Sequence, residues 1–405
     1  MLTRLFKVFE SAVFQFVILA TSLAGVSVAG TAPAVTILTP PITKGLASPL
    51  RVVLDSKGNF FVSDPRIGGV SKFNSSGQII QVFKTKAPPQ GIALNDAGNL
   101  LVSQGDSVAI LNQTGTVLGR LGSGIGQFRR ANGIAVDAAG FTYVVDSLDN
   151  NVKVFNSIGQ FVRVIGATGS AIGQFSMPTG IAYDKSSNQI AVTDTQNGRV
   201  QFFYTTGNFN FAKSIGTTGI APLQFKMPVG VTFEYDVAGK LSRMYVADIF
   251  QNTIQVIDPN GSGSFLAYIG KSGLANGQLM IPMDVAFDQA KKRLLVANGT
   301  GALTLYGIDG GVNPVATVPV TLTVDPVPAS VRSTNITISG AVDSSSNITV
   351  TTNNAAVASP ATYTSATTWR CTLSGLTPGE NVLSITATNS TGGISKHSIG
   401  ITYSP

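Results

Sequence analysis

The chain is 405 residues long; 43% of these residues are hydrophobic, only 12% are charged, 44 are Gly and 19 are Pro. This composition excludes a disordered chain and predicts a large, turn-rich, folded β protein that is mildly basic, since the formal net charge is +7. A single cysteine excludes an intramolecular disulfide, and a single histidine excludes a zinc site rich in histidine.

The first 29 residues have the order of a secretory signal peptide. Arg4 and Lys7 precede an apolar run at about 13–24, and small residues lead to a cleavage position after Ala29. We therefore expect export, with the mature protein in the periplasm or outside the cell. An uncleaved membrane anchor is the alternative because Glu10 is atypical of a signal peptide. Membrane contact would then run only through that retained segment.

The segment from residue 51 to residue 311 repeats one pattern six times. Each copy has a short apolar strand, a turn, a second strand that usually ends in Asp, and a third strand. The copies align on the residue directly before the first strand, and these residues are Arg51, Gly91, Gly133, Gly180, Gly230 and Asp284. Successive copies are 40 to 54 residues apart. That period, with about four short strands in each copy, predicts the blades of a β-propeller.

The strands within a copy have the polarity expected of their radial position. Inner strands such as 133–137 are almost continuously apolar, which suits burial on both faces. Outer strands such as 160–166 alternate polar and apolar residues, as a solvated edge does. The sixth copy lacks an outer strand, and we predict that residues 34–39 supply it and close the ring. Residues 314–320 are the competing candidate, but their two prolines make them a poorer ladder partner.

The third copy resembles an NHL repeat. The residues that carry the resemblance are "GIAVD" at 133–137, "YVVD" at 143–146, "NNVKVF" at 150–155, "GQFVRVIG" at 159–166 and the linker "GSAIGQF" at 169–175. The resemblance covers roughly two thirds of the chain and implies an all-β, six-bladed NHL-type β-propeller over residues 30–312.

The composition changes after residue 311 to Thr, Ser, Asn and Val. We predict a linker over 313–319 and a two-sheet β-sandwich of short strands over 320–405. Within it, residues 373–393 resemble a bacterial immunoglobulin-like domain, a module that implies a spacer or contact surface. Cys371 shares its strand parity with Trp369 and Leu373, which predicts a core-facing side chain rather than a reactive thiol.

Side chains suited to catalysis are scarce in the repeats. The only histidine, His397, lies near the C-terminus, so the repeats cannot contain a Ser-His-Asp triad. The similar lactonase and strictosidine-synthase-like propellers imply a calcium ion held around the axis by Glu, Asn and Asp. Calcium takes about six to eight oxygen ligands, whereas the six aligned axial residues include one carboxylate, that of Asp284. We expect no catalytic residue, metal or cofactor, and a calcium-dependent lactonase-type or lyase-type enzyme is the alternative.

Two sets of charged residues are candidates for a role at a site. The first set ends the second strand of a copy and is predicted to fix the following turn by accepting backbone N–H bonds; its members are Asp64, Asp146, Asp194 and Asp248. The second set is predicted to bind ligand, and its members are Arg51 and Asp284 in the axial slot and Arg129, Arg130, Lys226 and Lys271 in the linkers. For Arg51 and Asp284, an ion pair at the closure seam is the structural alternative.

These observations predict an exported, noncatalytic binding or scaffolding protein. Its partner would be a protein or an acidic glycan in the cell envelope or outside the cell, because exposed basic loops favour anions. Basic loops resemble the surface that some NHL propellers use for RNA, but an exported protein rarely meets nucleic acid.

Overall fold

The computed structural model describes residues 30–122, 124, 126–312, 320–343, 346–389 and 394–405. The predicted signal peptide at 1–29 and the predicted linker at 313–319 lie outside these residues. The described chain is all-β, with a 3-10 turn at Thr195–Asn197 as its helical element. It forms two compact units, the larger of which ends at Val312. In the part of the chain that is described, no helix has the length and apolar character needed to cross a membrane.

The described residues of the larger unit form six four-stranded antiparallel sheets, here numbered 1 to 6 in chain order. Within each sheet the strands follow one another in sequence from the inner to the outer position, except in sheet 6. Sheet 1 contains Arg51–Leu54, Phe60–Asp64, Gly69–Phe73 and Ile79–Lys84, and sheet 2 contains Ile92–Leu94, Leu100–Ser103, Val108–Leu111 and Val117–Leu121. Sheet 3 contains Ala131–Val136, Thr142–Asp146, Asn151–Phe155 and Phe161–Ile165, and sheet 4 contains Ile181–Asp184, Gln189–Asp194, Arg199–Tyr204 and Phe211–Ile215. Sheet 5 contains Pro228–Tyr235, Leu241–Asp248, Thr253–Asp258 and Ser264–Ile269, and sheet 6 contains Pro282–Asp288, Arg293–Asn298, Ala302–Ile308 and Val35–Ile42.

The N-terminal strand completes sheet 6, which confirms the prediction made for residues 34–39. Val35–Ile42 runs antiparallel to Ala302–Ile308, with Val35 opposite Ile308. All seven residues of Ala302–Ile308 are buried, so the added strand covers an edge that would otherwise expose backbone N–H and C=O groups. The competing segment, 314–320, falls almost wholly outside the described residues.

An ionic cluster centred on the buried Arg243 fixes the start of this closing strand. Arg243 donates to Glu234 Oε2 at 3.1 Å, to Asp309 Oδ2 at 2.6 Å and to the carbonyl oxygen of Thr31 at 3.2 Å. Asp309 in turn accepts the backbone N–H of Ala34 at 2.9 Å. Because Arg243 and Glu234 belong to sheet 5 and Asp309 follows sheet 6, the cluster ties the N-terminal segment to both sheets.

The core lies between the sheets, and the clusters of buried side chains close the ring. Each of the six clusters in this unit joins two consecutive sheets. The cluster that contains Val52, Phe60, Leu295 and Leu303 joins sheet 1 to sheet 6. Since both faces of each sheet are buried in this way, the inner strands are continuously apolar rather than alternating.

Glycine in the axial slot follows from the close approach of neighbouring inner strands. A Cβ atom on Gly133 would lie 2.6 Å from the carbonyl oxygen of Thr179 in the segment entering the next sheet, and one on Gly91 would overlap the carbonyl oxygen of Asn132. These positions therefore accept no side chain. In sheets 3, 5 and 6 the first strand begins two residues before the axial position, whereas the sequence pattern predicts a start directly after it, because a register irregularity extends the pairing.

The smaller unit has two sheets that share one core. One sheet contains Leu322–Val324, Ile336–Val342, Thr368–Ser374, Val357–Ala358 and Thr362–Tyr363, and the other contains Ser330–Val331, Ile394–Tyr403, Gly379–Asn389 and Ser346–Thr352. Trp369, Cys371 and Leu373 from the first sheet pack with Leu383 and Ile385 from the second. Cys371 is buried, as predicted, and burial raises the pKa of its thiol.

Candidate functional site

One end of the sheet ring gathers most of the predicted site residues, and we call it the linker face. First strands begin there, and antiparallel second strands end there. The linkers that lead from the outer strand of one sheet to the inner strand of the next also arrive at this end. The face therefore carries both sets of candidates, at the inner-strand starts and in the linkers.

Arg51 spans the axis of the ring just inside the linker face. Its Nη1 atom donates to the carbonyl oxygens of Val229 at 2.9 Å and Met283 at 3.1 Å. Its Nη2 atom donates to Asn132 Oδ1 at 3.1 Å and to the carbonyl oxygen of Thr179 at 3.0 Å. These acceptors lie in the first strands of sheets 3, 5 and 6 and in the segment that enters sheet 4. Since sheet 4 lies opposite sheet 1 in a ring of six, the guanidinium must cross the centre.

Asp284 contributes one further acceptor to this arrangement. Its Oδ1 atom lies 3.5 Å from Arg51 Nη1, and its Oδ2 atom accepts the backbone N–H of Val52 at 3.0 Å. Burial raises the pKa of Asp284, while Arg51 and the backbone N–H groups act in the opposite direction. Sheets 1 and 6 are thus joined by an ion pair with both side chains nearly buried, at 10% and 12% exposure. The pair lies within the ring rather than at its mouth.

Behind Arg51 lies an axial cavity of about 370 Å³. It extends along the first strands, from Arg51 and Asp284 at one end to residues such as Leu54, Val136 and Phe287 at the other. The guanidinium forms the wall on the side of the linker face. A ligand that approached from that face would have to displace Arg51 from its acceptors to enter the cavity.

The carboxylates at the ends of the second strands hold the linkers as well as the turns. Asp248 accepts the backbone N–H groups of Lys226 at 2.7 Å and Met227 at 3.2 Å, both in the incoming linker. It also accepts those of Phe250 and Gln251 in its own turn, at 3.0 Å and 3.1 Å. Backbone N–H groups of the linkers bind in the same way to Asp64, Asp146 and Asp194. All four carboxylates are engaged in structural hydrogen bonds, and each one lies in a different sheet.

Asp146 has an additional partner in Lys153. The Lys153 Nζ atom lies 2.8 Å from Asp146 Oδ2 and 2.9 Å from Asp149 Oδ2, and its side chain is only 6% exposed. Burial acts to raise the pKa of Asp146, but the bonds from Lys153, Arg129 and Arg130 outweigh it, and the pKa lies below its usual range. The Asp146 carboxylate is therefore charged in the folded protein near neutral pH.

The four basic linker residues are exposed, and they occupy related positions. The backbone N–H groups of Arg129 and Lys226 bind equivalent carboxylates, so the two residues occupy the same linker position two sheets apart. Arg129 is 67% exposed at its side chain and lies 3.7 Å from Asp149. Arg130, Lys226 and Lys271 are exposed, and among the described residues no carboxylate lies within ion-pair distance of them. Their charges remain available to a partner.

The acceptors of Arg51 were not foreseen from the sequence. Asn132 and Thr179 each directly precede an axial glycine, and that placement of a polar residue is the signal that could have indicated them. Glu234 and Arg243 were also missed, although each is a charged residue within an otherwise largely apolar strand. His397 is exposed on its strand in the smaller unit.

Comparison with known proteins supports the ring architecture. A family model described as a 6-bladed β-propeller matches residues 127–216. No curated protein matches the chain.

Solved structures give the same result over a longer segment. A protein of unknown function from Bacteroides thetaiotaomicron is 16% identical with a TM-score of 0.52, and the match covers 68% of this chain and 76% of that one. An auxiliary nutrient binding protein from Bacteroides ovatus is 12% identical with a TM-score of 0.53, covering 69% and 77%. A gluconolactonase from Xanthomonas campestris is 14% identical with a TM-score of 0.52, covering 69% and 96%. At such identities the likeness concerns the fold, and the larger unit of this chain has a β-propeller fold.

Proposed function

We propose that this chain is an exported, noncatalytic binding or scaffolding protein that recognises an acidic protein or glycan through its linker face. In this proposal the larger unit is a six-bladed propeller of NHL type, residues 1–29 are a signal peptide, and residues 320–405 are an immunoglobulin-like spacer. The mature protein acts in the periplasm or outside the cell.

The observation that carries the proposal is the position of the Arg51 guanidinium. A resident cation with acceptors from four other sheets occupies the axis where lactonase-type propellers are expected to place calcium. Calcium at the same point would have to displace it or face its charge at close range. The axial groups therefore stabilise the ring, and recognition falls to the exposed basic residues of the linkers.

Relatives with the same fold have both kinds of function in their names. The Bacteroides ovatus protein is named for nutrient binding and the Xanthomonas campestris protein for gluconolactonase activity. Binding is favoured here because the exposed charges of Arg130, Lys226 and Lys271 are free of carboxylate partners in the described structure, whereas Asp64, Asp146, Asp194 and Asp248 already hold backbone groups.

Retention of the mature chain on an immobilised polyuronate tests the proposal. We expect retention that is lost in about 0.5 M salt, because contacts between exposed charges are screened at that ionic strength. The double substitution Arg129→Ser with Lys226→Ser should weaken it. The matched control is Lys57→Ser with Lys240→Ser, two exposed lysines in the first turns of sheets 1 and 5, at the opposite end of the ring.

Two results would contradict the proposal. If the control pair loses as much retention as the linker pair, the binding reflects net charge rather than this face. If the protein instead hydrolyses lactones in a calcium-dependent manner, the lactonase-type alternative is correct.

A further inference from the structure

Three linkers of the linker face each expose one aliphatic side chain at the tip of a short loop. Ile172 is 67% exposed in the linker to sheet 4, Ile220 is 70% exposed in the linker to sheet 5, and Leu274 is 76% exposed in the linker to sheet 6. Single exposed aliphatic residues are common on protein surfaces. Here they recur in the same loop of three successive linkers, on one face.

The loops that carry these tips are held firmly by hydrogen bonds. In each loop a glutamine closes the turn, with its side-chain oxygen accepting a backbone N–H of the loop; these glutamines are Gln174, Gln224 and Gln278. In two of the loops, those of Ile172 and Ile220, a second glutamine on the third strand accepts another loop N–H: Gln201 from Gly173 at 2.9 Å and Gln255 from Leu223 at 3.0 Å. A parallel bridge also joins the two ends of each loop. The exposed tips are therefore preorganised and lose little conformational entropy on binding.

Exposed positive charge lies close in sequence to two of the three tips. Lys226 follows the Ile220 loop closely, and Lys271 lies three residues before Leu274. Both lysines are exposed and have no carboxylate within ion-pair distance in the described part of the chain. Phe250, 69% exposed, lies in the turn after the second strand of sheet 5 and faces the same end of the ring.

We infer that the linker face docks an acidic protein segment whose aliphatic side chains contact Ile172, Ile220 and Leu274. This inference rests on the binding function proposed above and narrows its partner from an acidic glycan or protein to a protein. The charge of the face calls for acidic groups in the partner. A polyuronate offers such groups but few apolar atoms to cover aliphatic tips, whereas aliphatic contacts with charged groups around them are usual in protein interfaces.

Peptide titration with the full mature chain tests this inference. The probes are three synthetic peptides of equal length: an acidic-aliphatic peptide of Glu and Leu, an acidic peptide of Glu and Ser, and a neutral peptide of Ser and Leu. We expect the acidic-aliphatic peptide to bind about tenfold more tightly than the acidic one, since only it covers the tips. The variant Ile172→Ser, Ile220→Ser, Leu274→Ser should remove that difference and keep the weaker acidic binding.

A matched control substitutes three exposed aliphatic residues of the same unit that lie off this face. Ile80, Ile158 and Val237 are 54%, 75% and 103% exposed, in an outer strand and in turns at the opposite end. The variant Ile80→Ser, Ile158→Ser, Val237→Ser should bind like the parent. Thermal unfolding of both variants verifies that each one folds.

The outcomes separate this inference from the function on which it rests. Equal binding of the two acidic peptides, or full binding by the tip variant, overturns the docking role of the tips and leaves the basic face intact. Absence of binding to either acidic peptide and to polyuronate overturns both. Tip-dependent binding to vesicles of phosphatidylcholine and phosphatidylglycerol, with no preference among peptides, would identify an anionic membrane as the partner and overturn the protein partner.

Discussion

Replacing Arg51 by methionine should destabilise the propeller strongly. Methionine fills much of the same space but removes four hydrogen bonds to other sheets and the ion pair with Asp284. Removing one member of a buried ion pair costs about 3–5 kcal/mol. In a domain of this size each kcal/mol lowers Tm by about 2–4 °C. The expected fall in Tm is therefore roughly 6–20 °C.

The destabilisation caused by Arg51→Met should also depend on pH, because Asp284 has no cationic partner in the variant. Burial already raises the pKa of Asp284, and loss of Arg51 should raise it further. A carboxyl group whose pKa is higher in the folded than in the unfolded state binds more protons when the protein is folded. Its contribution to the free energy of unfolding therefore falls as the pH rises from the unfolded pKa through the folded pKa. The gap in Tm between parent and variant should thus widen from about pH 5 to about pH 8.

Differential scanning calorimetry measures both effects. The control is Arg130→Met, which removes the same charge from an exposed side chain and should shift Tm by less than about 2 °C. Adding Asp284→Asn to the Arg51 variant should recover part of the loss, since it removes the unpaired carboxylate. A Tm for Arg51→Met within about 2 °C of the parent would refute the axial role assigned to the guanidinium.

Three further predictions concern the closing strand, the linker carboxylates and calcium. Deleting residues 30–42 should lower Tm by more than about 5 °C, because the deletion exposes the edge of Ala302–Ile308 and the Arg243 cluster. A decrease in Tm of less than about 2 °C would show that the ring does not need this strand. Asp146→Asn should destabilise the protein most near neutral pH and progressively less as the pH falls through the depressed folded pKa of Asp146, because the parent then also loses the charge. Urea unfolding at several pH values measures this effect. A loss of unfolding free energy that does not vary with pH would contradict the assigned ion pair with Lys153. Millimolar calcium should leave Tm unchanged within about 1 °C, whereas a rise of several degrees that Asp284→Ala abolishes would favour the enzyme alternative.

The sequence alone determined the repeat and most of the fold. The recurring strand pattern predicted propeller blades, and the missing outer strand of the sixth copy predicted the pairing of residues 34–39. The parity of Cys371 predicted its burial. These features could be predicted because they depend on local periodicity or on a strand edge that must be covered.

The tertiary structure decided what the charged residues do. Arg51 and Asp284 share an axial slot in the sequence pattern, but only ring closure shows that Arg51 reaches backbone acceptors as far as 232 residues away, at Met283. The same holds for Arg243, whose carboxylate partners lie 9 residues away at Glu234 and 66 residues away at Asp309. A local sequence pattern predicts strands because the polarity of strand residues follows their burial. A long polar side chain can instead turn toward any neighbour that the closed ring brings near. Its partners are therefore fixed only by the packing of distant sheets.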